Sequence, residues 1–130
     1  MKDFSVEQAD SSDSIALIAL IGEILGAAGV NIEGLCLLAH EGRAIIHFVV
    51  EDAETAKSVL ERSGIRVSKV SEVCVLDKDK KRVTGKPGSF GGICRTFAEH
   101  GITLNFGYPA ENNRFIFGAD DAAKAQELLK

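Results

Sequence analysis

The sequence predicts an α+β chain built from two copies of one β-α-β-β-α-β module in tandem, the second without its closing strand. Three observations lead there. A helix-glycine-strand unit occurs twice at an offset of 72 residues, with residues 14–32 matching 86–104 without a gap. Ile18 meets Phe90, Ile21 meets Ile93, Leu25 meets Phe97, Gly29 meets Gly101, Val30 meets Ile102 and Ile32 meets Leu104. Each copy is followed by a further strand pattern and then by a helix opening on an Asp-Ala pair, Asp52-Ala53 and Asp121-Ala122. Finally, a strand pattern precedes each repeated helix, at residues 4–7 and 72–76.

In chain order, Phe4-Ser5-Val6-Glu7 alternates apolar and polar as a half-buried strand does. The cluster Asp10-Ser11-Ser12-Asp13-Ser14 supplies side-chain oxygens able to accept the free N–H groups of a helix start. The helix that follows carries one charge, Glu23, between Ile15 and Ala28, and so should be covered on more than one face. Gly29 ends it, because glycine alone takes the left-handed conformation without penalty. Residues 31–39 read as the second strand, His40-Glu41-Gly42-Arg43 as a tight hairpin turning on Gly42, and 44–50 as the third strand. Asp52 caps a helix over 53–63 that Gly64 ends, and 65–70 reads as the fourth strand. This order of elements is the ferredoxin-like arrangement, antiparallel sheets with helices on one face.

The second module opens with a strand over 72–76. A charged loop, Asp77 to Arg82, is expected to be solvated and leads to Gly85-Lys86-Pro87-Gly88. After the repeated helix, ended by Gly101, the strand runs through 105–108, a turn spans 109–113, and the next strand spans 114–118. Asp121 or Asp120 caps a last helix through Leu129, which leaves a place beside the module's first strand unfilled. The expected modules are residues 1–70 and 71–130.

With 130 residues and 45% hydrophobic content the chain can bury a core. A net charge of −4 gives no electrostatic reason to bind a nucleic-acid backbone or anionic lipid. The most apolar run is broken by Glu23 and Gly29, short of the roughly 20 residues of a membrane span. Three cysteines at unrelated spacings argue against a disulfide framework, and with no signal-peptide pattern at Met1-Lys2-Asp3-Phe4 the expected location is the cytoplasm.

Lys86-Pro87-Gly88-Ser89-Phe90 with Gly101-Ile102-Thr103-Leu104, and Gly29-Val30-Asn31-Ile32 with the Asp-Ala start of each second helix, resemble a tandem pair of ACT domains. These are small-molecule-binding regulatory modules of amino-acid metabolism. The first copy has Asp13-Ser14-Ile15 where a Pro-Gly pair is usual, and the second has Thr103 where the family often has the asparagine seen here as Asn31. The resemblance implies a regulatory protein, not an enzyme, that binds a small amino acid or related carboxylate between modules and signals to a partner enzyme on another polypeptide. It implies a ligand held by a helix-start loop of one module and the second-strand start of another. The loop residues are Ser11, Ser12, Asp13 and Ser14, or Gly88, Ser89 and Phe90; the strand residues are Asn31 and Ile32, or Thr103, Leu104 and Asn105. The physics agrees, since free N–H groups at a helix start attract a carboxylate. The same serines and Asp13 could equally serve only as caps. Valine at Gly88 is expected to crowd the ligand's approach and leave the fold intact.

Other chemistry is weaker. Cys36 and His47 fall near each other across the hairpin, but two ligands do not close a metal site, and the histidines and cysteines otherwise lack zinc spacings. No cofactor motif is present: Gly85-Lys86-Pro87-Gly88-Ser89 lacks the phosphate-loop pattern. An enzyme using His47 or His100 as general base is the alternative reading, since fold does not exclude it. An RNA-binding module would need basic residues beside paired aromatics on a central strand. The third strand is apolar on both faces, with Ala44, Ile46, Phe48 and Val50 on one and Ile45 and Val49 flanking His47 on the other. A homodimer burying the second face is therefore expected, with Ile45 and Val49 in the contact.

Overall fold

The computed structural model describes residues 1–130 as two compact units, Met1–Ser71 and Glu72–Lys130. The first contains β1 (Lys2–Gln8), a 3-10 turn (Ser11–Asp13), α1 (Ser14–Ala27), β2 (Gly34–His40), β3 (Arg43–Val50), α2 (Ala53–Arg62) and β4 (Lys69–Glu72). The second contains β5 (Cys74–Asp77), α3 (Lys78–Lys81), α4 (Ser89–Glu99), β6 (Leu104–Ala110), β7 (Arg114–Ala119) and α5 (Ala122–Leu128). The first sheet has the order β2-β3-β1-β4 and the second β5-β7-β6. β1 and β2 each pair antiparallel with β3, and β5 and β6 each pair antiparallel with β7. This is the α+β, tandem ferredoxin-like architecture read from the sequence.

Both repeated helices end as their glycines require. Gly29 and Gly101 sit at φ +75° and +72°, and the next N–H reaches back five residues, Val30 to Leu25 O and Ile102 to Phe97 O, each at 2.9 Å. Gly64 ends α2 identically, at φ +78° with Ile65 N–H on Leu60 O at 2.9 Å. Asp52 and Asp121 cap α2 and α5 by accepting from the N–H of Thr55 and Lys124. Asp120, the other candidate cap, instead accepts from Asn105.

Alternation places Phe4, Val6, Ile46, Phe48 and Val50 on one sheet face, where they pack with Ile21 and Leu25 of α1 and Ala56 and Leu60 of α2. The second core joins Cys74, Leu76 and Phe117 to Ile93 and Phe97 of α4 and Ala125 of α5. The aligned pairs Ile21 and Ile93, Leu25 and Phe97 are therefore buried in equivalent places.

Several boundaries move. β2 begins at Gly34, not 31: strand pairing starts only where Glu33 N–H meets Val49 O at 2.9 Å, so the strand does not follow Gly29 at once. β4 is Lys69–Glu72 in place of 65–70; Ile65 and Val67 pack on the core as unpaired extended chain. β5 is Cys74–Asp77 in place of 72–76. The expected charged loop contains a helical turn, α3, because Asp77 accepts from Lys80 N–H at 3.0 Å and Arg82 closes it at φ +61°. Pro109 and Ala110 belong to β6, at a sheet edge where a missing N–H is harmless, and the turn rests on Asn112 and Asn113 at φ +61° and +54°. α1 is not covered on every side, since Ile15 is 71% and Leu20 44% exposed.

Candidate functional site

The two helix starts that the repeat makes equivalent are chemically different. Before α1, Asp10 Oδ1 accepts from Ser12 N–H at 3.0 Å and Ser12 Oγ at 2.8 Å. The Ser12 hydroxyl, then its N–H, hold the Asp10 carboxyl below the usual carboxylate range. Ser14 Oγ donates to Ser11 O at 2.8 Å, and Ser11 N–H donates to Gly42 O at 2.7 Å. The loop's donors are largely spent, and two carboxylates, Asp10 and Asp13, already stand at the positive end of the helix. A ligand carboxylate would meet like charge there.

The start of α4 has no acidic side chain in its first turn. Gly88, at φ +85° and ψ −13°, turns the chain into the helix. Ser89 N–H and Oγ both bond Lys86 O, at 3.1 and 2.8 Å, and the hydroxyl also reaches Val83 O. Gly92 N–H bonds Gly88 O, which leaves the N–H groups of Phe90 and Gly91 without intrahelical acceptors. A cleft of about 370 Å³ opens beside them, lined by Leu76, Lys78, Val83, Lys86, Gly88, Phe90 and their neighbours. Phe90 is 42% exposed and packs on Phe115 and Phe117, with ring centroids 4.9 and 5.8 Å away. Two ammonium groups, two oriented N–H donors and an aromatic wall fit a small carboxylate with an apolar portion. Valine meets no clash within the protein, since no protein atom lies within 4 Å of a Cβ added at Gly88. Its positive φ strains any side chain there, and the substitution disturbs the loop itself.

The strand-start residues lie elsewhere. Asn31 Nδ2 donates to the Glu33 carboxylate, and Ile32 packs against the first core. Thr103 O accepts from Asp120 N–H at 3.0 Å, Asn105 Nδ2 donates to Asp120 Oδ1 at 2.6 Å, and Leu104 pairs with Ala119 at the start of β6. In the first unit the loop sits at the Gly42 end of the sheet and Asn31 and Ile32 near the Val49 end. In the second, Gly88 to Phe90 sit at the Asn113 end and Thr103 to Asn105 at the Asp120 end. Within a unit the structure does not bring loop and strand start together.

Two arrangements escaped sequence reasoning. Asp3, wholly buried on β1, lies 2.9 Å from His47 Nδ1, while Cys36 stands directly opposite His47 on β2 as the sequence led us to expect. A buried carboxylate needs such a partner, and a histidine between Ile45 and Val49 was the available clue. The second is Gln126 on α5, whose side chain bonds the backbone of β5. His100 ends α4 on the surface, with Nδ1 2.9 Å from Thr96 O. No group of three or more His, Cys, Asp or Glu residues is placed to hold a metal ion.

No family model and no curated protein matches the sequence. Solved structures do match. Protein BT0572 of Bacteroides thetaiotaomicron shares 19% identity at TM-score 0.75, over 98% of this chain and 85% of that one. The regulatory subunit of aspartate kinase from Thermus thermophilus, in its ligand-free form, shares 16% identity at TM-score 0.65, over 98% and 89%. The chain folds as a tandem pair of ACT domains. A third match is aspartokinase III of Escherichia coli in complex with lysine and aspartate, 17% identical at TM-score 0.50, of which this chain covers 31%. No helix is long and apolar enough to cross a membrane.

Proposed function

We propose that this ACT-fold protein is a non-catalytic amino-acid sensor. It binds a small amino acid or related carboxylate at the start of α4 and passes the signal to a partner enzyme of amino-acid metabolism in the cytoplasm. The observation that carries this reading is the unneutralised helix start at Gly88, Ser89 and Phe90, with two N–H groups open and Lys78 and Lys86 on the cleft. The ligand carboxylate sits on the N–H groups of Phe90 and Gly91, and its side chain lies toward Phe90. Support for the class comes from the regulatory subunit of aspartate kinase and from the enzyme complexed with lysine and aspartate. We also assign the protein as a homodimer. The apolar residues left exposed on the outer sheet face are Leu38 and Ile45, directly opposed on β2 and β3 and 63% and 40% exposed. Val49, expected in that contact, is fully buried and takes no part.

The test is a thermal-shift screen of the twenty amino acids, followed by an amide NMR titration. Binding stabilises the folded state by RT ln(1 + [L]/Kd), about 2.7 kcal/mol at a hundredfold excess. The expected result is a rise in Tm with one or a few amino acids and shifts centred on the amides of Gly88 to Gly92. No shift at millimolar concentration of any amino acid overturns the sensor reading, and shifts centred on Ser11 to Ser14 overturn the choice of loop.

A further inference from the structure

The ferredoxin-like second unit has an unfilled strand position, and the structure shows what occupies its hydrogen bonds. In the first unit β4 lies beside β1. In the second, β5 has a strand neighbour, β7, on one side only. On its other side Val75 N–H donates to Gln126 Oε1 at 2.8 Å, and Gln126 Nε2 donates to Val75 O at 3.0 Å. A primary amide carries its C=O and N–H side by side, as an extended residue of an adjacent strand does. The side chain of Gln126 is thus an internal stand-in for a peptide, and it blunts an edge that would otherwise recruit one.

A groove of about 310 Å³ runs along this edge, and its charges are lopsided. Lys80, Lys81 and Lys130 line it against one carboxylate, Asp77, which is already engaged as the cap of α3; Lys81 Nζ donates to Leu129 O at 2.8 Å and Lys130 Nζ pairs with the Glu127 carboxylate at 3.0 Å. We propose that the groove is a docking site for an extended acidic segment of a partner protein, which adds to β5 as the fourth strand by displacing the Gln126 side chain. The hydrogen-bond pattern is that of a peptide, and the lysines select its charge. A second copy of this chain is a poor occupant, because its own β5 edge presents the same lysines and the same glutamine. The proposal does not depend on the amino-acid reading, since groove and α4 start are separate surfaces of the unit.

The experiment uses the full chain and a fluorescein-labelled, end-blocked heptapeptide of alternating glutamate and valine, with a lysine-for-glutamate version as control. Gln126→Ala removes the plug, and Gln126→Met, which keeps the stem's packing, serves if the alanine variant is poorly folded. The plug-free variant is expected to bind the acidic peptide about tenfold or more tighter than the native chain, to ignore the lysine peptide, and to show faster hydrogen exchange at Val75 that the bound peptide slows again. Failure of the plug-free variant to bind at millimolar peptide overturns the proposal. So does equal binding of both peptides, binding without protection of Val75, or self-association of the variant that excludes the peptide.

Discussion

Two glycines four residues apart should respond to alanine with opposite signs, and the backbone decides which. Gly88 is held at φ +85°, ψ −13°, where a Cβ meets no neighbour but an L residue is strained by about 1–2 kcal/mol. Gly92 lies inside α4 at an ordinary helical φ, again with nothing within 4 Å of an added Cβ. Alanine there removes backbone freedom from the unfolded chain and gains about 0.5–1 kcal/mol. For a unit of this size each kcal/mol moves Tm by roughly 4–8 °C. Gly88→Ala should therefore lower Tm by about 4–16 °C, and Gly92→Ala should raise it by about 2–8 °C. Urea unfolding followed by circular dichroism gives the free energies, and calorimetry gives Tm. If both variants shift the same way, or if Gly88→Ala is neutral, then the left-handed turn at the start of α4 is wrong, and with it the aim of the Phe90 and Gly91 N–H groups.

Burial pushes the Cys74 thiol up to about 11 from its ordinary 9.0. The unfolded chain ionises first, so the burial costs nothing below pH 9, and stability falls by up to ~3 kcal/mol as pH climbs toward 11. The urea midpoint of the native protein should drop over that range, whereas that of Cys74→Ala starts lower and stays flatter; parallel curves would refute the assignment. At the outer sheet face, Leu38→Lys with Ile45→Lys should shift sedimentation from dimer to monomer without changing the circular dichroism. A native chain that is monomeric at about 100 µM, a hundred times a micromolar Kd, would remove the dimer from the account.

The sequence by itself determined the tandem α+β architecture, because the repeat, the helix-ending glycines and the Asp-Ala caps are local features. Glycine at Gly29, Gly64 and Gly101 ends a helix through its own backbone conformation, and Asp52 and Asp121 each cap by bonding an N–H three residues away. Strand limits were less legible. Residues 31–33 and 65–68 have strand-like composition, but a strand exists only where a partner's backbone meets it, and that is a property of the folded sheet. The same holds for the difference between the two helix starts. Both looked like carboxylate loops, yet only the tertiary structure commits Ser11 to Gly42 and Ser12 to Asp10 while leaving α4 open. The buried pair of Asp3 with His47 and the bond of Gln126 to Val75 join residues 44 and 51 positions apart. No periodicity records such a meeting, because it depends on which chemically ordinary side chains the packed sheets and helices bring within 3 Å of each other.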